Sequence, residues 1–272
     1  MIPATLRYRR VSSVDDALAV LAEHGDEAKL LAGGHSLLPL MKLRLAAPEI
    51  VVDIAGLAEL SYVRLDGDVV AIGAMTRYHD LVRDPVLAEH APLVAHVAGV
   101  IGDPQVRHRG TIGGSVAHGD AAADLPAALL ACDAEFVVRG RDGERTVAAG
   151  EFFLGPFTTA LEPDEVLTEI RLPRRGDAGW GFEKFTRRAI DWAIVGVAVQ
   201  GRNVGLINMA GTPIRAEATE RALADGASIV EAAALAAEGT SPADEPHATA
   251  AYRAHLARVL TERALVQAEQ RA

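Results

Sequence analysis

Residues 28–54 read AKLLAGGHSLLPLMKLRLAAPEIVVDI. The run from Ala28 to Leu31 has the composition of a buried strand that enters a glycine turn, and Glu49–Ile54 reads as a second apolar strand. Between them, Gly33 and Gly34 are followed by His35 and Ser36. A segment of matching composition, Thr111-Ile112-Gly113-Gly114-Ser115, follows the basic run RHRG. Glycine allows positive φ and carries no Cβ, so successive backbone N–H groups can converge on an anion while a serine hydroxyl donates another bond. A diphosphate suits such a turn. Each pair alone also reads as an ordinary tight turn. Two or three charge-assisted bonds of about 1.5 to 3 kcal/mol barely reach the roughly 8 kcal/mol of micromolar binding. Two turns acting together with a buried ring system suffice.

The common nucleotide signatures are absent. Gly179-Trp180-Gly181 starts a GxGxxG run, but Lys184 stands where the third glycine belongs, and no Gly-Lys pair exists for a Walker A loop. Half of the 272 residues are hydrophobic, enough for a sizeable core and, by length, for two domains. The formal charge of -10 and the scatter of arginines along the chain argue against a nucleic-acid partner. Cys132 is the single cysteine, which excludes an intrachain disulfide, a thiolate zinc site and an iron–sulfur cluster held by this chain alone. The nine histidines include no HExxH, so no metal is expected here. MIPATLRYRR lacks an apolar leader core and no stretch reaches a spanning length, which predicts a cytoplasmic protein.

Working outward, SSVDDALAVLAEHG (12–25) predicts an amphipathic helix capped by Ser13 with Asp16 three residues on. Strands are expected at 69–74, at EFVVRG and at RTVAA, the last two flanking a turn at Arg141, Asp142 and Gly143. Residues 85–102 and DLPAALLA, with Asp124 as its cap, read as helices. After RRGDAG (174–179), three strands in GFEKFTRR, AIVGVAVQ and NVGLINMAG predict an antiparallel meander, followed from Ile214 by an alanine-rich helical tail broken at 239–246. The domain boundary is expected near residue 176.

Three blocks, AGGHSLLPLMKLRLAAPEIVVDI (32–54), GDPQVRHRGTIGGSVAHGDAAADLPAALLACDAEF (102–136) and FEKFTRRAIDWAIVGVAV (182–199), resemble the FAD-binding medium subunit of the molybdenum hydroxylases, most of all the aerobic carbon monoxide dehydrogenase type. The resemblance runs in order over essentially the whole chain. It implies an α+β fold of the vanillyl-alcohol-oxidase (PCMH) type. A FAD-binding domain at 1–176, with subdomains of about 1–58 and 59–176, would be followed at 177–272 by a C-terminal domain of a three-stranded antiparallel sheet with helices.

By position, Leu30, Leu31, Ala32, Gly33, Gly34, His35, Ser36 and Leu37, together with Thr111, Ile112, Gly113, Gly114 and Ser115, would wrap the pyrophosphate and ribityl chain of FAD. Asp124 would accept bonds from ribose or ribityl hydroxyls, or serve as a plain helix cap. Ile101 and Leu161 would touch the isoalloxazine ring, and Lys184 would lie near its pyrimidine end, where a cation favours the anionic reduced form. Trp192, in DWAIVG, reads either as core, the favoured reading, or as a ring near the flavin. His108 replaces the asparagine common in this family and is assigned no catalysis.

The resemblance also implies a heterotrimer. A molybdenum-pterin centre in a large subunit would oxidise the substrate. Iron–sulfur clusters in a small subunit would carry electrons to FAD here, for delivery to a quinone, NAD or oxygen. Competing readings are a free-standing FAD-dependent oxidase of the same fold and a non-enzymatic binding module.

Overall fold

The computed structural model describes residues 2–174 and 178–272, so the boundary expected near 176 lies outside the described residues. Three sheets carry the architecture. In the first, β1 (Arg7–Arg10), β2 (Ala28–Leu31) and β3 (Ile50–Asp53) are parallel, in the order β1-β3-β2. Helix α1 (Val14–His24) connects β1 to β2, and Ser13 caps it by accepting from Asp16 N at 3.1 Å, as the sequence predicts. The Asp16 carboxylate turns back to Ser12 and bonds both its N–H and its hydroxyl. Helix α2 (Leu37–Lys42) follows the first glycine pair.

The second sheet begins with β4 (Val63–Asp66) and β5 (Val69–Gly73) and continues with the hairpin β6 (Glu135–Gly140) and β7 (Gly143–Ala148). A small hairpin of β8 (Phe153–Gly155) and β9 (Thr158–Thr159) precedes β10 (Val166–Pro173), which enters the antiparallel order β4-β5-β10-β6-β7. Helices α3 (Tyr78–Leu81), α4 (Pro85–His90), α5 (Pro92–Gly99), α6 (Pro104–Arg107), α7 (Ile112–His118), α8 (Asp124–Ala131) and α9 (Ala149–Phe152) pack around it.

The single helix predicted over 85–102 is two helices. Pro92 opens the second, because its missing N–H cannot continue the ladder and Ala91 swings out to φ -146°. Helix α7 was not legible at all. Gly113 and Gly114 are poor helix formers, but the Thr111 hydroxyl accepts from Gly114 N at 3.2 Å and starts the turn.

The third sheet is antiparallel, in the order β11 (Trp180–Phe185), β12 (Val195–Gln200), β13 (Asn203–Ile207) and β14 (Ile214–Arg215). The three expected strands form the meander, and the two-residue β14 extends it through Gly205↔Arg215 and Leu206↔Ile214. Helices α10 (Glu217–Ala224), α11 (Ile229–Ala234) and α12 (Ala250–Gln270) complete the chain.

Helix α12 lies on one face of this sheet and α8 on the other, both at backbone distance. A Cβ on Gly181 would overlap the Ala264 carbonyl of α12, and one on Gly205 the Ala127 carbonyl of α8. Helix α8 is therefore buried at every position from Asp124 to Ala131, held between the second and third sheets. Among the described residues no helix is long and apolar enough to cross a membrane.

The close helix–strand contact makes a stability prediction. Gly181→Val is expected to cost about 2 to 3 kcal/mol by overpacking against α12. Gly150→Ala, in helix α9 with no atom within 4 Å of the added carbon, is expected to stay within about 0.5 kcal/mol of the parent or gain slightly. Urea unfolding of the two variants decides it, and equal losses would contradict the packing described.

Candidate functional site

The two glycine segments meet. A Cβ on Gly33 would fall inside the Arg109 carbonyl oxygen and against Gly110, so the chains touch backbone to backbone at that point. The second segment is anchored from below. Gly113 N donates to Ala74 O at 2.8 Å, Ile112 N to Thr76 O at 3.1 Å, and Tyr78 N to Gly110 O at 3.1 Å.

These bonds separate the roles of two segments that look alike in sequence. In the second, the N–H groups of Gly113, Gly114 and Ser115 are consumed by Ala74, by the Thr111 hydroxyl and by the Thr111 carbonyl. Burial pushes the pKa of the Tyr78 hydroxyl up to about 12, with the nearby Ser115 hydroxyl opposing the rise and the charge of Asp124 adding to it. In the first segment, the N–H groups of Gly33, Gly34, His35, Ser36 and Leu37 have no protein partner among the described residues. Unpaired N–H groups on consecutive residues form an anion-binding concavity. The first segment offers donors and the second forms the wall that shapes them.

A cleft of about 530 Å³ opens over this junction. Of the sequence-predicted residues, Leu30, Ala32, Gly33, Gly34, His35, Ser36 and Leu37 border it, with Ile101, Thr111, Gly113, Gly114, Ser115 and Leu161. Leu31 and Ile112 do not border it, and Ile112 is fully buried in the core. Arginines fix the loops that carry the apolar wall. Arg107 Nη1 donates to the carbonyls of Ile101 and Gly102 at 3.0 and 3.1 Å. Arg145 holds the Ala160 carbonyl at 2.5 Å and grips Glu165 through two nitrogens, at 2.7 and 2.6 Å.

Sequence reasoning missed several lining residues, among them Met75, Tyr78, Val106, His118 and Phe157. Only Phe157 had a structural oddity to find, a positive φ of 54° in the β8–β9 turn, and that is not readable from residue type. Trp192 is not core. It is 59% exposed and borders the cleft, because the β11–β12 loop carries it out of the sheet.

Asp124 and Lys184 do not border the cleft, although Asp124 directly follows Ala123, which does. Asp124 is the first residue of α8, and Ala123 occupies the cap position with no side-chain bond. The carboxylate pairs instead with Lys184 of β11, Nζ to Oδ2 at 2.7 Å, with both side chains nearly dry. Its Oδ1 is one of the few buried side-chain atoms without a partner among the described residues. Burial raises the Asp124 pKa, while the Lys184 charge and hydrogen bond oppose that rise. His108 stacks on His79 with ring centroids 3.8 Å apart, and neither borders the cleft.

The free donors, the glycine contact that no side chain could share and the orphaned carboxylate oxygen fit a dinucleotide with a diphosphate, sugar hydroxyls and a planar ring. The fold and this cleft define a PCMH-type FAD-binding domain joined to an additional C-terminal domain. Comparison with known proteins agrees. Residues 4–175 match the FAD binding domain in molybdopterin dehydrogenase, and residues 180–268 match the CO dehydrogenase flavoprotein C-terminal domain.

The carbon monoxide dehydrogenase medium chain of Hydrogenophaga pseudoflava is 44% identical over 97% of both chains. That of Afipia carboxidovorans is 40% identical over 100% of this chain and 99% of its own. The crystallised carbon monoxide dehydrogenase from Hydrogenophaga pseudoflava superposes with a TM-score of 0.96 at 45% identity over all of both chains. The chain belongs to the family of FAD-binding medium subunits of molybdenum hydroxylases and is closely related to the carbon monoxide dehydrogenase medium chain. It is the FAD-binding electron-transfer component of an oxidoreductase complex of that type.

The buried pair supplies a prediction with a sign. Lys184→Met removes the cation bonded to Asp124 and is expected to cost about 3 kcal/mol, with Asp124→Asn in the same background restoring part of it. In Lys184→Met the folded carboxyl, already raised by burial, titrates above its unfolded value. The folded state then binds more protons, and stability falls as pH rises from the ordinary carboxylate range through the folded pKa. Urea melts of Lys184→Met at about pH 5 and about pH 8 should show the lower stability at the higher pH. A loss independent of pH would contradict an uncompensated carboxylate.

Proposed function

We propose that this chain receives electrons from iron–sulfur clusters held by a small partner subunit, after a molybdenum-pterin centre in a large subunit has oxidised the substrate, and delivers them to a quinone, NAD or oxygen. Carbon monoxide is the leading substrate by likeness, with aromatic heterocycles, aldehydes and acyl-CoA compounds behind it. The observation that carries the reading is the row of unpaired N–H groups from Gly33 to Leu37 facing a cleft whose other wall is already internally bonded. One cysteine cannot build a cluster, so electrons must arrive from metal centres on other chains.

In this reading the first glycine segment holds the diphosphate of FAD. The second fixes the distance between the two walls, and Ile101, Leu161 and Trp192 give the ring an apolar, water-poor setting. Asp124 Oδ1 accepts from a sugar hydroxyl, and Lys184 directs that carboxylate through the bond to its Oδ2 while opposing the rise in pKa that burial causes. Bound FAD supplies the conversion between single-electron and two-electron transfer. The division into 1–176, with subdomains of about 1–58 and 59–176, and 177–272 is part of the proposal. Each of the three large sheets lies within one of these spans, which supports it. A cytoplasmic setting is also included, and cell fractionation tests it.

The chain expressed with its neighbouring subunits should purify yellow, with flavin, iron and molybdenum in one assembly. Gly33→Val should reduce flavin per chain to roughly a tenth while the assembly persists, since a side chain there separates the two segments. A colourless wild-type assembly would defeat the reading. Rapid oxidation of an organic substrate by this chain alone would favour the free-standing oxidase.

A further inference from the structure

We infer that Arg253 is a positioning residue for the flavin cleft, a guanidinium on helix α12 that clamps the Trp192 loop and the turn before α8 in one register. The inference rests on the proposed function above, because it supposes that the cleft receives FAD. Arg253 is 1% exposed. Its Nη1 donates to Ile194 O at 3.0 Å and to Asn208 O at 3.2 Å, its Nη2 pairs with Glu245, and its Nε has no partner. A buried guanidinium with an unused donor is costly beside an apolar residue of similar volume, so packing alone does not account for it. What it achieves is to join two carbonyls from separate loops, a planar, multi-donor task that a lysine performs poorly.

Both carbonyls lead to the cleft. The loop between β11 and β12 closes through Ile194 N to Phe185 O at 2.9 Å and is braced by Arg187 against Asp191 at 3.6 Å. Its last residues are Trp192, which borders the cleft, then Ala193 and Ile194. Asn208 Nδ2 donates to Ala193 O at 2.9 Å, and Arg253 takes the next carbonyl, so two consecutive peptide units behind Trp192 are fixed. Asn208 sits at φ +61°, in the left-handed region that asparagine tolerates, and its N–H donates to Ala121 O at 2.7 Å. Ala121 lies in the turn that leads to Ala123, which borders the cleft, and to Asp124. One buried side chain thus ties together the Trp192 side of the cleft and the α7–α8 side.

The test uses the full-length chain, alone and with co-purifying subunits, in a Trp180→Phe background that leaves Trp192 as the sole tryptophan. Arg253→Met is expected to raise the FAD dissociation constant about tenfold. In the flavin-free chain it should also lower the fluorescence anisotropy of Trp192. Arg253→Lys, which keeps the charge and one donor group, should restore part of both signals. Asn208→Asp, which keeps a residue suited to positive φ but loses the donor to Ala193 O, should weaken FAD about threefold and serves if Arg253→Met does not fold.

Leu265→Ala, an apolar cavity in the same helix, should lower Tm without changing either signal. Wild-type FAD affinity and Trp192 anisotropy in the Arg253 and Asn208 variants would overturn the clamp, as would an equal FAD loss in Leu265→Ala at matched Tm. A wild-type chain that binds no FAD in any assembly counts against the proposed function instead. The anisotropy of the flavin-free chain still decides the clamp.

Discussion

The structure depends on one close approach, the backbone of Gly33 against the carbonyl of Arg109 and the Cα of Gly110. Everything that shapes the cleft follows from bringing these two segments to van der Waals distance. The first segment extends from the parallel sheet and the second is bonded to Ala74 and Thr76, which follow β5 of the antiparallel one, so their contact also bears on how the two sheets stand toward each other. The anchoring is unequal. Bonds from Ala74, Thr76 and Thr111 lock the second segment, whereas the first keeps its N–H groups for something outside the protein. Such a division lets the site be rigid where distance matters and unsatisfied where a ligand must bind.

A second layer of bonds supports that junction. Arg107, Arg145 and Arg253 each donate to a carbonyl in a loop that carries or adjoins a lining residue: Ile101, Leu161 through Ala160, and Trp192 through Ile194. Loops that line a cleft cannot borrow hydrogen bonds from a sheet, and a guanidinium can serve several carbonyls at once. Three of the arginines scattered along the chain thus have a structural use at these positions.

Much of the fold was legible. The Ser13 cap, strands β5, β6 and β7 of the second sheet and the three-strand meander follow from residue type and spacing, because each depends on neighbours in sequence, whereas β4 and the inserted strand β10 of that sheet were not read. What was hidden depends on distant partners. Helix α7 forms on two glycines because Ala74 and Thr76 hold its first turn. Asp124 leaves its capping role because Lys184, sixty residues on, meets it in a dry place. Trp192 looked like core by its apolar neighbours, and only the path of the β11–β12 loop puts it at the cleft. Composition marked both glycine pairs as equals, since it cannot tell which N–H groups a fold will use up.

Helix α8 has a consequence for the integrity of the chain. Its eight residues present no face to water, being covered on one side by the second sheet with its helices and on the other by β12 and β13. Cutting the polypeptide between Pro173 and Trp180 and separating the pieces would leave an oily rod projecting from the larger fragment and a bare strip on the smaller one. Neither piece could hide what the other had covered. The two spans have to stay together for that helix to remain dry.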